Sequence, residues 1–332
     1  MKIRILDKKQ ADTERQVREE VTAPALEIHD YREIEPLVDA LLPSEGTENE
    51  SKLTPLNLSF PSPLELLLFV RPTCKPHRWQ AEELRRLGGF LDIVTKTKVT
   101  KEEPFLMNYI AANGSGKDEY IIAAFNLWFI LSGCNNLVVN TSASFQQLKY
   151  QTEVHINYLI KLLNATLGQE IVQSKDMYKY CRFTNSEIKL FATDEAGRAE
   201  GFHPRSGGDM AIVVNEAKSV SDEIFDALMR CSGYSYWLNV SSPGARAGRL
   251  YTNYVESIKH PEPQVLGKWY SRRITAYECP HIPKLHIEEC RKRMPPEWFK
   301  SSIEAEFVDS ESNTVISIAL WERGLHNVPR ND

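Results

Sequence analysis

Phe105-Leu-Met-Asn-Tyr-Ile-Ala-Ala-Asn-Gly-Ser-Gly-Lys-Asp118 is the stretch that decides how this chain is read. Its first seven residues form a mostly apolar run of strand length, and a long apolar run follows from Ile121. A strand that empties into glycines and then into a helix is the setting a phosphate-binding loop requires. Gly114 and Gly116 allow the backbone to curl so that successive N–H groups point inward, and the following helix adds its positive N-terminal end. Lys117 then reaches the outer phosphates as a point charge. Ala112, Asn113, Gly114, Ser115, Gly116, Lys117 and Asp118 are therefore the expected nucleotide-binding residues. Two positions depart from the G-x-x-x-x-G-K-S/T pattern. Ala111 replaces its first glycine, and Asp118 replaces the hydroxyl residue that ordinarily ligates Mg²⁺. In isolation the same residues describe a glycine turn with Asp118 as a helix N-cap. The strand before and the helix after favour the phosphate loop.

Roughly a hundred residues further on, Met210-Ala-Ile-Val-Val-Asn-Glu-Ala217 is an apolar strand ending in two polar residues. In the Walker B form of such a strand end, the first acid orients Mg²⁺ and the second activates the attacking water. Here the first is Asn215 and the second is Glu216. The two departures compensate: a carboxylate moves from strand to loop, and a neutral oxygen ligand takes its place. Asp118 and Asn215 are thus the expected metal residues and Glu216 and Lys117 the expected catalytic pair. ATP and Mg²⁺ are the expected substrate and cofactor.

Around these motifs the chain alternates short apolar strands with helices, the grammar of a mostly parallel sheet with crossovers. Strands are predicted at Phe105–Ala111, Asn136–Thr141, Glu187–Ala192, Ala211–Asn215 and Tyr236–Val240. The fourth is continuous and apolar, so it should be buried on both faces. Helices are predicted from about Asp118, over Ser144–Leu163, over Leu64–Val70 with Pro63 in the first turn, and over His286–Arg293. Three regions are expected: an acidic extension over 1–60, a core over 61–255, and a linker or subdomain over 256–332 in which strand grammar fades. Short helices at Glu14–Glu20 and Ile34–Leu42 and a polar linker at Pro43–Asn57 complete the extension.

The formal net charge is −5. Residues 1–60 carry eight Lys/Arg against thirteen Asp/Glu, whereas 246–300 carry eleven Lys/Arg against six Glu. A basic segment of this kind suits nucleic acid, although a solvated surface looks similar. Six scattered cysteines without CxxC or Cys/His zinc spacing imply reduced thiols. No stretch approaches the roughly 20 apolar residues of a bilayer span. The N-terminus lacks the apolar core of a signal peptide, so a cytosolic protein is expected.

Taken together over about residues 75–320, the motifs resemble the ATPase domain of the large terminase subunit of tailed bacteriophages. The resemblance rests on Pro76-His-Arg-Trp-Gln80, the glycine loop, Thr141-Ser-Ala-Ser144 with Gln146-Gln147, Glu200-Gly-Phe-His-Pro204, Asn215-Glu-Ala with Val220-Ser-Asp-Glu-Ile224, and Ser241-Ser-Pro-Gly244. Tyr277 through Phe307 is similar to the linker that leaves that domain. The resemblance implies an α/β P-loop NTPase fold of the RecA/ASCE type. It also implies an ATPase that moves double-stranded DNA, without sequence preference, into a procapsid. Gln80 becomes the candidate adenine reader, and Ser241 and Ser242 become the candidate coupling hydroxyls that sense the γ-phosphate. Arg198, Arg205, Arg246 and Arg249 are the candidates for a charge-neutralising arginine finger. The implied partners are duplex DNA, a portal protein, the small terminase subunit and further copies in a ring, in the host cytoplasm and away from membrane. Duplex contact is expected along 246–300 and around Arg182–Arg205.

The family's nuclease domain has no counterpart in the roughly 25 residues after Phe307, so nuclease activity is not expected of this chain. Two alternatives stand beside the motor. One is a nucleotide-binding regulatory or structural protein with weakened hydrolysis, which Asn215 favours. The other is a superfamily 2 helicase-like ATPase, which needs a second RecA-like domain.

Overall fold

A computed structural model describes residues 60–88, 100–192, 199–259 and 266–309. The extension expected over 1–60, apart from Phe60, and the chain beyond 309 lie outside the described residues, as does Arg198.

Eight strands form one mixed sheet: β1 Phe105–Ala111, β2 Leu137–Ser142, β3 Val172–Lys175, β4 Tyr178–Cys181, β5 Ser186–Ala192, β6 Met210–Asn215, β7 Tyr234–Ser241 and β8 Trp269–Ile274. Their spatial order is β3-β4-β5-β2-β6-β7-β1-β8. The six strands from β5 to β8 in that order pair in parallel, and β3, β4 and β5 pair antiparallel. Helices cover the sheet: α1 Pro63–Val70, α2 Arg78–Arg86, α3 Ala124–Leu131, α4 Val154–Thr166, α5 Asp222–Met229, α6 Gly248–Lys259, α7 Lys284–Arg293 and α8 Pro296–Ser302. This is the ASCE P-loop ATPase architecture expected from the sequence.

The central strands are mostly apolar because both of their faces are covered. Along β6, Ala211 and Val213 join the core shared with Phe125, Val138 and Leu238. Ile212 and Val214 join the opposite core with Val139, Phe225 and Trp237. All six β6 residues are buried, as expected.

Three strands escape the sequence reading. β3 shows one buried and three exposed residues, and β8 carries Arg272 and Arg273, so neither reads as an apolar run. Within the segment expected as a linker or subdomain, β8 continues the sheet by pairing with β1 from Leu106↔Trp269 to Ala111↔Ile274. The helix after the loop also differs. It opens as a π-helix over Lys117–Ala123, and a second π-helical stretch, Leu148–Glu153, precedes α4. Among the described residues, no helix is long and apolar enough to cross a membrane.

Candidate functional site

In the parallel part of the sheet the strands end on one edge, where Ile110 lies beside Ser241 and Ser142 beside Asn215. The glycine loop leaves β1 at this edge. The Ala112 N–H continues the ladder to the Ile274 carbonyl (2.8 Å), and the Asn113 N–H donates to the Ser302 carbonyl at the end of α8 (2.9 Å). Gly114 and Gly116 take positive φ of 71° and 83°. A side chain at Gly116 would also press on Gln80 Nε2 at 3.0 Å and Tyr120 Cδ2 at 3.2 Å. Glycine is required there by conformation and by space alike.

Gln80 is 1% exposed, and both ends of its amide are engaged within the protein. Its oxygen accepts from the His77 N–H (2.8 Å) and its nitrogen donates to the Ser115 carbonyl (3.2 Å). As it stands the residue braces the loop, using one N–H and one oxygen lone pair of its amide. A second support was not visible in the sequence. His281 Nε2 lies 2.7 Å from the Gly114 carbonyl and its Nδ1 lies 2.7 Å from His77 Nε2, with the two rings stacked. A carbonyl only accepts, so His281 Nε2 carries hydrogen, and in the neutral ring its Nδ1 accepts from His77. Burial, and then His281, push His77 below the ordinary histidine range. Ser115 Oγ, also buried, has no hydrogen-bond partner among the described residues.

Lys117, Asp118, Asn215 and Glu216 converge. Lys117 Nζ is 2.9 Å from Glu216 Oε1 and 3.5 Å from Asp118 Oδ2. Burial works to lower the lysine's pKa, but the carboxylates of Asp118 and Glu216 outweigh it and the net direction is upward. Glu216 is held in the left-handed region at φ 48° and ψ 47°, an uncommon geometry for a non-glycine residue. Asn215 Oδ1 accepts the Glu216 N–H at 2.9 Å and thereby supports that turn. On the other side, Asn215 Nδ2 donates to Asp118 Oδ1 at 2.8 Å and to Thr152 Oγ1 at 2.6 Å. Asn215, expected to offer an oxygen to a cation, has that oxygen on the Glu216 N–H and its nitrogen toward the Asp118 carboxylate. Ser241 Oγ lies 3.4 Å from Glu216 Oε2 and accepts the Lys218 N–H at 3.3 Å.

These residues open on a cleft of about 520 Å³ lined by Asn113, Lys117, Asp118, Glu216 and Ser242, and across from them by Gln147, Tyr150, Gln151 and His155. Of the arginine candidates, Arg205, Arg246 and Arg249 do not line it. Arg205 contacts Asn185 and stacks on Tyr180 toward the start of β5, the opposite edge of the sheet. Arg246 pairs with Asp309 at 2.7 Å, and Arg249 pairs with Asp226. The basic count of 246–300 is likewise offset by acids: Arg272 pairs with Glu278, Arg273 with Glu306, and Arg291 with Glu304. Among the described residues no group of three or more His, Cys, Asp or Glu is arranged around a metal position. A nucleotide-borne Mg²⁺ asks for less, since one or two carboxylates plus phosphates suffice, and Asp118 supplies such a group. All six cysteines are unpaired.

The mostly parallel sheet flanked by helices matches the P-loop ATPase fold. Solved structures of phage large terminases share it. The Thermus phage P74-26 large terminase ATPase domain superposes with a TM-score of 0.54 at 15% identity, over 73% of this chain and 97% of its own. The HK97 bacteriophage large terminase gives 0.52 at 14% identity, over 73% of this chain and 54% of its own. The large terminase of another thermophilic bacteriophage, in complex with ADP, gives 0.53 at 13% identity, over 70% and 54%. The chain thus spans about half the length of these two larger terminases. No family model and no curated protein matches the chain by sequence.

Proposed function

We propose that this chain is an ATP-hydrolysing motor domain of the large terminase type, which drives double-stranded DNA into a procapsid. One observation carries the reading: the loop cation Lys117 meets the strand-end acid Glu216 at 2.9 Å, at the edge where the parallel strands end. A structural neighbour solved in complex with ADP supports nucleotide binding by a chain of this fold.

The chemistry follows from the residues. The amides of Ala112 and Asn113 are already engaged by Ile274 and Ser302, so those of Gly114, Gly116 and Lys117 would form the cradle for the β- and γ-phosphates, with Lys117 as the charge within it. Before nucleotide arrives, Lys117 neutralises Glu216. A multiply charged phosphate competes for the ammonium, which releases Glu216 to accept a proton from the attacking water. The left-handed turn fixes where that carboxylate points. Asp118 would hold Mg²⁺, which neutralises charge on the phosphate oxygens when bound. Ser241 touches Glu216 from the end of β7, and Ser242 lines the cleft, so the pair is placed to report a change at the acid to the strand beside it.

Duplex DNA would be held through its phosphates, sequence-independently, by cations from 246–300 and 182–205. The arginine pairs described above lessen the share that arginines of the first segment contribute. The remaining expectations, a ring of copies on a portal protein with a small terminase subunit in the host cytoplasm, belong to the same proposal. Steady-state ATP hydrolysis with and without linear duplex DNA tests the motor reading. Stimulation that fades as salt rises supports it, and hydrolysis indifferent to DNA at all salt concentrations contradicts it. A nucleotide-binding protein without turnover is the second reading, favoured by the use of Asn215 as a donor to Asp118.

A further inference from the structure

We propose that Thr152, reaching in from a distant helix, is the positioning residue for the cation-binding carboxylate of Asp118. The proposal rests on the nucleotide-site reading above. Thr152 is fully buried, although it lies 34 residues beyond Asp118. Its hydroxyl donates to Asp118 Oδ1 (3.4 Å) and accepts from Asn215 Nδ2 (2.6 Å). Asn215 donates to the same Asp118 oxygen at 2.8 Å. Two uncharged donors therefore hold Oδ1. The other oxygen, Oδ2, is left toward Lys117 at 3.5 Å, on the side of the cleft that both residues line. Neutral donors fix the orientation of the carboxylate without cancelling its charge, as a cation ligand requires.

The backbone supports the same assignment independently. π-Helical turns are rare and gather at functional sites. Asp118 and Thr152 each lie in one, Lys117–Ala123 and Leu148–Glu153, and the two meet through this pair. The second turn is pinned from outside. Glu153, next to Thr152, receives Lys179 Nζ of β4 at 2.6 Å, and that lysine is 0% exposed. The β3–β4 hairpin thus fixes the register that delivers the hydroxyl.

The test uses the full chain with Mn²⁺ and ADP as probes. Electron paramagnetic resonance reads bound Mn²⁺, and calorimetry reads ADP affinity without metal. Thr152→Val removes the hydroxyl with little change of shape, and Thr152→Ala serves if that variant folds poorly. Either should weaken Mn²⁺ binding to the ADP complex by about 10–100-fold, the usual effect of losing a partner that orients a ligand. Metal-free ADP affinity should stay unchanged, and Thr152→Ser should recover Mn²⁺ binding. Wild-type Mn²⁺ affinity in the Val or Ala variant overturns the proposal. So does a parallel loss of metal-free ADP affinity, which would mark a packing role. If the wild-type chain itself binds no ADP, the nucleotide-site reading fails and this proposal with it.

Discussion

Asn215 donates its side-chain amide to Asp118 across 2.8 Å, joining the end of β6 to the residue that follows the loop lysine, 97 positions earlier in the chain. Asparagine at the strand and aspartate at the loop are therefore mutually dependent. Asn215→Asp alone would set two carboxylates against each other, and like charges so close resist joint ionisation. The thermal midpoint should fall by several degrees without divalent cation, and Mg²⁺ should restore part of it. Asp118→Ser combined with Asn215→Asp should hydrolyse ATP faster than either single variant. Simple additivity of the two substitutions in hydrolysis assays would contradict the exchange.

The two loop glycines should differ in their tolerance of substitution. At Gly116 a methyl group meets Gln80 Nε2 at 3.0 Å on a backbone with φ of 83°. At Gly114 nothing lies within 4 Å and only the positive φ opposes a side chain. Gly116→Ala is expected to cost about 1–3 kcal/mol in denaturant unfolding and to weaken ATP binding. Gly114→Ala should cost about 1 kcal/mol. Equal losses would mean that the brace from Gln80 does not matter.

Five of the eight strands are legible in the sequence because each is an apolar run whose burial dictates its composition. β8 and β3 are not, since these edge strands face solvent on polar residues such as Arg273 and Lys175, and β4 between β3 and β5 is hidden because one of its buried residues is Lys179. Lys117, Asp118 and Glu216 are legible because local spacing fixes their place at strand ends. Thr152 and His281 reach the loop only through tertiary contacts, and the π-helical turn that aims Thr152 has no periodic signature. The role of Asn215 eludes the sequence for a finer reason: which end of its amide faces the site depends on the Glu216 N–H.

The Glu153–Lys179 pair is buried, so removing one partner leaves an uncompensated charge. Lys179→Met should destabilise the chain by about 3–5 kcal/mol in urea unfolding. Glu153→Leu in the same background should recover most of that loss. A double variant no better than the single would show that the pair is not coupled.

Lys117 also makes stability depend on alkaline pH. Its folded pKa is raised above the ordinary lysine value of 10.5, with Asp118 and Glu216 as the raising groups. Its contribution is therefore complete below that value and is lost as pH climbs through the folded pKa. Unfolding free energies of wild type and Lys117→Met should run parallel from neutral pH to that point. Above it the wild type should fall more steeply, and a divergence at neutral pH would contradict the assignment.

The central claim is that Glu216 is the base at a working nucleotide site, and Mg²⁺-dependent ATP turnover by wild type and Glu216→Gln tests it most directly. The expected result is measurable wild-type turnover that falls by about 10²–10⁴-fold in the variant, with ATP affinity retained. Equal turnover in both proteins would contradict the claim, and ATP binding without turnover by the wild type would replace the motor with a nucleotide sensor.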